Sequence, residues 1–144
     1  MIKNERQYRI TKAQAEKFER TIAEVTANPN RSIHPTLRKA QVEALKSQLE
    51  ELKRELQEYA ALRSGKRRVI ALGSIEELPK TLIQARIAAG LSQEELAAKL
   101  GLKPQQVQRY EATNYQSASL ERVNEILRVL GVKFRHPAEL RLVS

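Results

Sequence analysis

Apolar residues recur through the first part of the chain at alternating steps of three and four. Ala15, Phe18, Ile22 and Val25 mark one face of a helix. Thr11-Lys12-Ala13-Gln14, just ahead of them, has the Ser/Thr-x-x-Glu/Gln form of a capping box. The spacing therefore predicts a helix from about Thr11 to Ala27, stopped by the turn chemistry of Asn28-Pro29-Asn30-Arg31-Ser32. A second helix is predicted from Pro35, a favoured first helical position, to about Leu62. Along it Val42, Leu45, Leu49, Leu52, Leu56 and Tyr59 keep a strict 3-4-3-4-3 spacing, an a/d seam of the coiled-coil kind. At 1.5 Å per residue the first helix is about 25 Å long and the second about 40 Å. An antiparallel hairpin of the two is expected to leave part of the longer seam uncovered. A second copy, the C-terminal part of the chain or a partner protein could cover it; equally, the seam could pack only inside one monomer.

The pattern changes after Leu62. Arg63-Ser64-Gly65-Lys66-Arg67-Arg68 carries four positive charges and reads as a linker. Val69-Ile70-Ala71-Leu72 is a candidate short strand, ended by Gly73-Ser74. From Pro79 to Gly131 the predicted helices are short and closely spaced. The first runs from Pro79 to Ala89 and ends at Gly90. Ser92-Gln93-Glu94-Glu95 is a full capping box that opens the second, which holds Leu96, Ala97 and Leu100 and meets Gly101. The third begins at Pro104 and holds Val107 and Tyr110. Two short helices joined by a Gly-containing turn make a helix-turn-helix arrangement. Leu96 and Leu100, one turn apart, face its core; Ala97 sits where the helices cross; Gly101 takes the positive φ of the turn. Leu102, Val107 and Tyr110 close the core. Leu120, Val123, Ile126, Leu127 and Leu130 predict the apolar face of a last helix ended by Gly131. Val132-Lys133-Phe134-Arg135-His136-Pro137 reads as a short strand or an extended arm. The expected architecture is all-α: an N-terminal helical hairpin (1–63), a basic linker with a possible short strand (64–78) and a helix-turn-helix domain with its tail (79–144).

Composition narrows the chemistry. The 144 residues hold 26 Lys and Arg against 17 acids, a net charge of +9, and every acid is Glu. Without Cys there is no disulfide framework, thiolate nucleophile or cysteine-based zinc site; without Asp there is no Ser-His-Asp triad. The two His, His34 and His136, each precede a proline and have no partner at helical metal spacing, so neither a metal nor another cofactor is expected. No Gly-rich phosphate loop, paired-carboxylate cleft or nucleophile elbow is visible, and the reading is of a non-enzyme. No apolar run approaches the roughly 20 residues of a membrane span, and the N-terminus has no apolar signal region. A cytoplasmic protein with no membrane part is expected. The positive charge points to a polyanion, most often nucleic acid. It does not say where: residues 1–78 carry 16 Lys and Arg against 11 Glu, and residues 79–144 carry 10 against 6. Motif register locates the site instead.

The stretch from Ser92-Gln93-Glu94-Glu95-Leu96-Ala97-Ala98-Lys99-Leu100-Gly101-Leu102-Lys103 through Arg109-Tyr110-Glu111 resembles the Xre (Cro/C1-type) helix-turn-helix family, over about Leu78 to Gly131. The resemblance implies a five-helix-type, lambda-repressor-like domain that binds double-stranded DNA. It implies an ion pair between Arg86 and Glu111, and phosphate contacts from Ser92 and Gln93 at a helix N-terminus. Lys103, Gln105, Gln106 and Arg109 would face the major groove, where Gln can read adenine and Arg guanine. Pro104 departs from the usual polar reader and offers only apolar contact. Thr113, Asn114, Tyr115 and Gln116, in the loop that follows, are read as further phosphate contacts. The plain alternative for each is a solvated polar side chain. The family reading also implies a homodimer whose two recognition helices enter successive grooves about 34 Å apart. Many proteins of this family and size are antitoxins that repress their own toxin–antitoxin operon and neutralise a cognate toxin through a second segment, a role open to the N-terminal hairpin. The alternatives are a stand-alone repressor with a dimerising hairpin, or a coiled-coil adaptor with weak DNA binding.

Overall fold

Two Thr/Asn-x-x-Gln patterns stand in tandem near the N-terminus, and the outer one starts the helix. In the computed structural model, which describes residues 1–143, α1 spans Glu5–Ala27, with Asn4 as its N-cap. The Asn4 side chain accepts from the Gln7 N–H at 2.9 Å, and Gln7 Oε1 accepts from the Lys3 N–H at 2.8 Å. Thr11 is therefore inside the helix, not at its start. The expected beginning was more than one turn too late. α2 spans Pro35–Arg63, as Pro35 at the first position suggested. Its N-cap is His34, whose Nδ1 accepts from the Thr36 N–H at 3.2 Å; that role was missed, because His is not among the favoured capping residues.

The longer α1, about 34 Å at 1.5 Å per residue, changes the account of the seam. α1 packs antiparallel on α2, with Lys53 paired to Glu19 and Tyr8 stacked on Tyr59 at 5.2 Å between centroids. The N-terminal ammonium lies 2.8 Å from Glu55 Oε1, and Ile2 and Tyr59 are buried. The Tyr59 end of the seam is thus covered. Val42, Leu45, Leu49, Leu52 and Leu56 are each only half-buried. The part of the seam left uncovered thus lies along its side. A groove of about 330 Å³ runs there, lined by Phe18 and Leu52 and edged by Gln14, Gln48, Glu51 and Glu55.

The chain divides into two compact units, Met1–Arg67 and a second from Arg68 onward. Residues 69–72 are not a strand, and neither are residues 132–137: among the described residues no strand forms. Neither segment finds a ladder partner among the described residues, and a lone strand leaves its backbone groups unpaired. The second unit holds a 3₁₀ turn (Ile75–Glu77) followed by α3 (Leu78–Ala88), α4 (Gln93–Leu100), α5 (Pro104–Ala112) and α6 (Leu120–Val129). Its core joins Leu82, Ile83 and Ile87 of α3 to Leu96 and Ala97 of α4, Val107 and Tyr110 of α5, and Val123 and Ile126 of α6, all buried. Leu96, Ala97 and Val107 form a cluster with Leu100, Leu102 and Leu130 packed against it. Leu120 departs from the expected face. It opens α6 on the margin of the buried stripe and is 75% exposed. Among the described residues no helix is long and apolar enough to cross a membrane.

Candidate nucleic-acid interface

α4 and α5 are set by local rules. Ser92 Oγ accepts from the Glu95 N–H at 3.1 Å, while Glu95 Oε2 accepts from the Ser92 N–H at 2.7 Å, a closed capping box. α4 stops at Gly101, whose φ of +67° is left-handed, and the Leu102 N–H returns to the Ala97 carbonyl at 2.8 Å. Pro104 then begins α5 with φ already suited to a helix.

α5 is amphipathic about a narrow buried strip. Val107, Tyr110 and Glu111 face inward, while Lys103, Gln105, Gln106, Gln108 and Arg109 are exposed. Successive helical residues turn by about 100°, so Gln105 and Arg109 lie near the centre of the outward face, and Gln106 lies at its edge. Gln106 accordingly leans back, its Nε2 donating to the Tyr110 hydroxyl at 3.2 Å. Gln108 sits about 60° from Gln105, closer than Gln106 does. It was not among the sequence-chosen readers, although its i+3 spacing from Gln105 signals the same face.

Beneath this face lies an ion pair. Arg86 is 2% and Glu111 0% exposed. Arg86 Nε donates to Glu111 Oε1 at 2.5 Å and Nη2 to Oε2 at 2.9 Å, the planar two-point match that guanidinium offers a carboxylate. Arg86 Nη1 also donates to the Leu91 carbonyl at 2.8 Å. Gln93 joins the network, its Nε2 donating to Glu111 Oε2 at 2.6 Å. No spacing rule brings that contact forward from sequence, because it pairs residues 18 positions apart.

The loop after α5 divides the residues expected there. Thr113 Oγ1 donates to the Arg109 carbonyl at 2.8 Å and caps the helix end. Thr113, Asn114 and Gln116 are exposed. Tyr115 is not on the surface. Asn114 and Tyr115 take left-handed φ of 49° and 58°, which turns the Tyr115 ring inward, where it is 6% exposed and stacks on Tyr110 at 5.8 Å. Its hydroxyl is enclosed and finds no hydrogen-bond partner among the described residues. The structure thus places Tyr115 in the core and takes its hydroxyl out of reach of a phosphate.

That orphan hydroxyl has a testable cost. An unpaired buried polar group costs about 1–3 kcal/mol, so Tyr115→Phe raises stability, by about 1 kcal/mol, in thermal or urea unfolding. Burial, with the Glu111 carboxylate adding to it, pushes the Tyr115 phenol well above its ordinary value. As pH rises past about 10, the unfolded chain releases this proton before the folded chain does, so folding weakens on the alkaline side. The Tyr115→Phe variant loses that part of the alkaline fall, and a variant with the same or lower midpoint than the parent would contradict the assignment.

Among the described residues no group of three His or Glu side chains could hold a metal. No curated protein and no solved structure matches the chain. Residues 82–136 match the family model described as helix-turn-helix, a span that takes in most of α3 and all of α4, α5 and α6. The match supports, for this segment, the Cro/C1-type helix-turn-helix family of DNA-binding regulators.

Proposed function

We propose that the chain is a sequence-specific, non-enzymatic transcriptional regulator that binds its operator as a homodimer and represses its own operon as the antitoxin of a toxin–antitoxin module. The observation that carries the DNA reading is the outward face of α5. Gln105, Gln108 and Arg109 project from a short helix whose inner face is locked by Val107, Tyr110 and the buried Glu111. A rigid helix with a polar, basic face is what direct readout in the major groove requires. Lys103, Gln105, Gln106 and Arg109 are assigned to base edges. Ser92, Gln93, Thr113, Asn114 and Gln116 are assigned to phosphates. The surplus of Lys and Arg adds affinity that ignores sequence and falls with salt. A cytoplasmic location goes with that reading.

The dimer and antitoxin parts rest on the hairpin. Five of the six seam residues keep part of their apolar surface accessible, which favours a second polypeptide on that side. A helix-turn-helix reader does not itself need such a segment, and a toxin-neutralising arm accounts for its presence. A stand-alone repressor with a dimerising hairpin is the second reading. A small toxin-like reading frame beside the gene, whose product loses toxicity on co-expression, separates the two.

The direct test is a mobility-shift or fluorescence titration on DNA from upstream of the gene, against the same bases in scrambled order. Arg109→Ala is expected to reduce the preference for the native order by about 5- to 150-fold, the range of one good bidentate base contact. Binding that ignores both base order and Arg109→Ala would sink specific readout.

A further inference from the structure

We propose that Glu111 is a positioning residue for the phosphate contact of Gln93, so that this contact depends on the buried Arg86–Glu111 pair. The inference rests on the DNA-binding reading above.

A glutamine at the start of an exposed helix is ordinarily free to sample its rotamers, and fixing it on DNA costs entropy. Here it is already fixed. Gln93 is half-buried as the first residue of α4, and its Nε2 lies 2.6 Å from Glu111 Oε2. A carboxylate only accepts, so the amide must turn its NH₂ toward it, and the carbonyl oxygen follows. Glu111 in turn is held at two points by Arg86, and Arg86 is held by the Leu91 carbonyl, one residue ahead of the Ser92 cap. The bonds run from α3 to the last turn of α5, on to the first residue of α4, and back to the segment that leads into α4.

Three donors are unsatisfied at that point. The second amide hydrogen of Gln93 and the backbone N–H groups of Gln93 and Glu94 bond nothing among the described residues. These are the unsatisfied groups that an anion takes at a helix start. Glu94, however, adds an exposed carboxylate to the same turn. Net charge there does not favour an anion, so the contact relies on neutral donors aimed in advance. Glu111 does the aiming for the side chain.

A double-mutant cycle on the full chain tests this, with affinity measured on the native upstream DNA. Gln93→Ala is expected to weaken binding about 3- to 10-fold, the range of one hydrogen bond. The second background is Arg86→Met with Glu111→Leu, which removes the pair together and leaves no buried charge behind. In that background Gln93→Ala should change affinity by less than about twofold. Equal losses in both backgrounds overturn the proposal. A parent chain that ignores DNA altogether removes the functional reading itself and is seen before any variant is made. If the paired variant does not fold, side-chain relaxation of the parent protein decides. The Gln93 amide, assigned by its disappearance in Gln93→Ala, should show an order parameter near the rigid backbone value of about 0.85, and a value below about 0.6, as for a freely moving side chain, overturns the proposal.

Discussion

Arg86→Ala lowers the stability of the second unit by about 3–5 kcal/mol. The size follows from what is left behind. Glu111 is fully enclosed, and Arg86 supplies its two-point partner. Remove the guanidinium and a carboxylate stays in a site that water does not reach, with the Gln93 amide as a neutral donor. Arg86→Lys is expected to rescue only part of the loss, because a single ammonium cannot reproduce the planar fork that also reaches Leu91. The control is Arg86→Met with Glu111→Leu. Taking out both charges is often neutral for stability, whereas taking out one is not. Each kcal/mol moves the midpoint of a 60–100-residue domain by about 4–8 °C. The midpoint of the second unit, followed in the full chain by amide NMR at core residues such as Val107, should therefore fall by well over 10 °C for Arg86→Ala. A shift of only a few degrees would mean that the pair is not the keystone its burial implies.

Leu49→Lys combined with Leu52→Lys is expected to separate the proposed homodimer and to weaken operator binding about 100-fold or more. Both leucines are half-buried on the seam, and Leu52 also lines the side groove between α1 and α2. Two ammonium groups there oppose any apolar surface laid against the hairpin. Linking two reading heads raises their joint affinity by about 10²–10⁴-fold over one head, so uncoupling them forfeits that factor. Sedimentation should move from dimer to monomer in step with the loss of affinity, while circular dichroism checks that α1 and α2 persist. DNA binding that survives as a dimer would assign the groove to another partner, the cognate toxin of the antitoxin reading being the first to try.

What was legible in the sequence was whatever short-range chemistry decides. The Ser92–Glu95 box, the turn at Gly101, Pro104 at the head of α5 and the inward Leu96, Ala97 and Val107 all depend on neighbours within a few positions. What was not legible depended on distant neighbours. Thr11 and Asn4 both fit a cap, and the choice between them lies with residues far along the chain: Tyr8 stacks on Tyr59, and the N-terminal ammonium reaches Glu55. The four apolar residues at 69–72 look like a strand, but among the described residues no second strand forms to pair with them. Tyr115 carries a polar tip and sits in a loop, so a surface place was the natural expectation. Two consecutive left-handed residues reverse it; Asn114 is a residue type at ease there, but nothing in the loop announces the second, at Tyr115 itself. The Arg86–Glu111 pair came from family register, but its extension to Gln93 came only from geometry.

Gly101 carries a consequence for the chirality of the turn. A β-carbon placed there meets nothing within 4 Å, so the site has room for a side chain. Only the backbone objects, because φ is +67° and an L-residue is strained there by about 1–2 kcal/mol. The turn between α4 and α5 therefore selects for handedness and not for smallness. Asparagine, larger than alanine but at ease in the left-handed region, suits this position better than alanine does. Glycine is the achiral choice that a chain of L-residues has at a mirror-image corner.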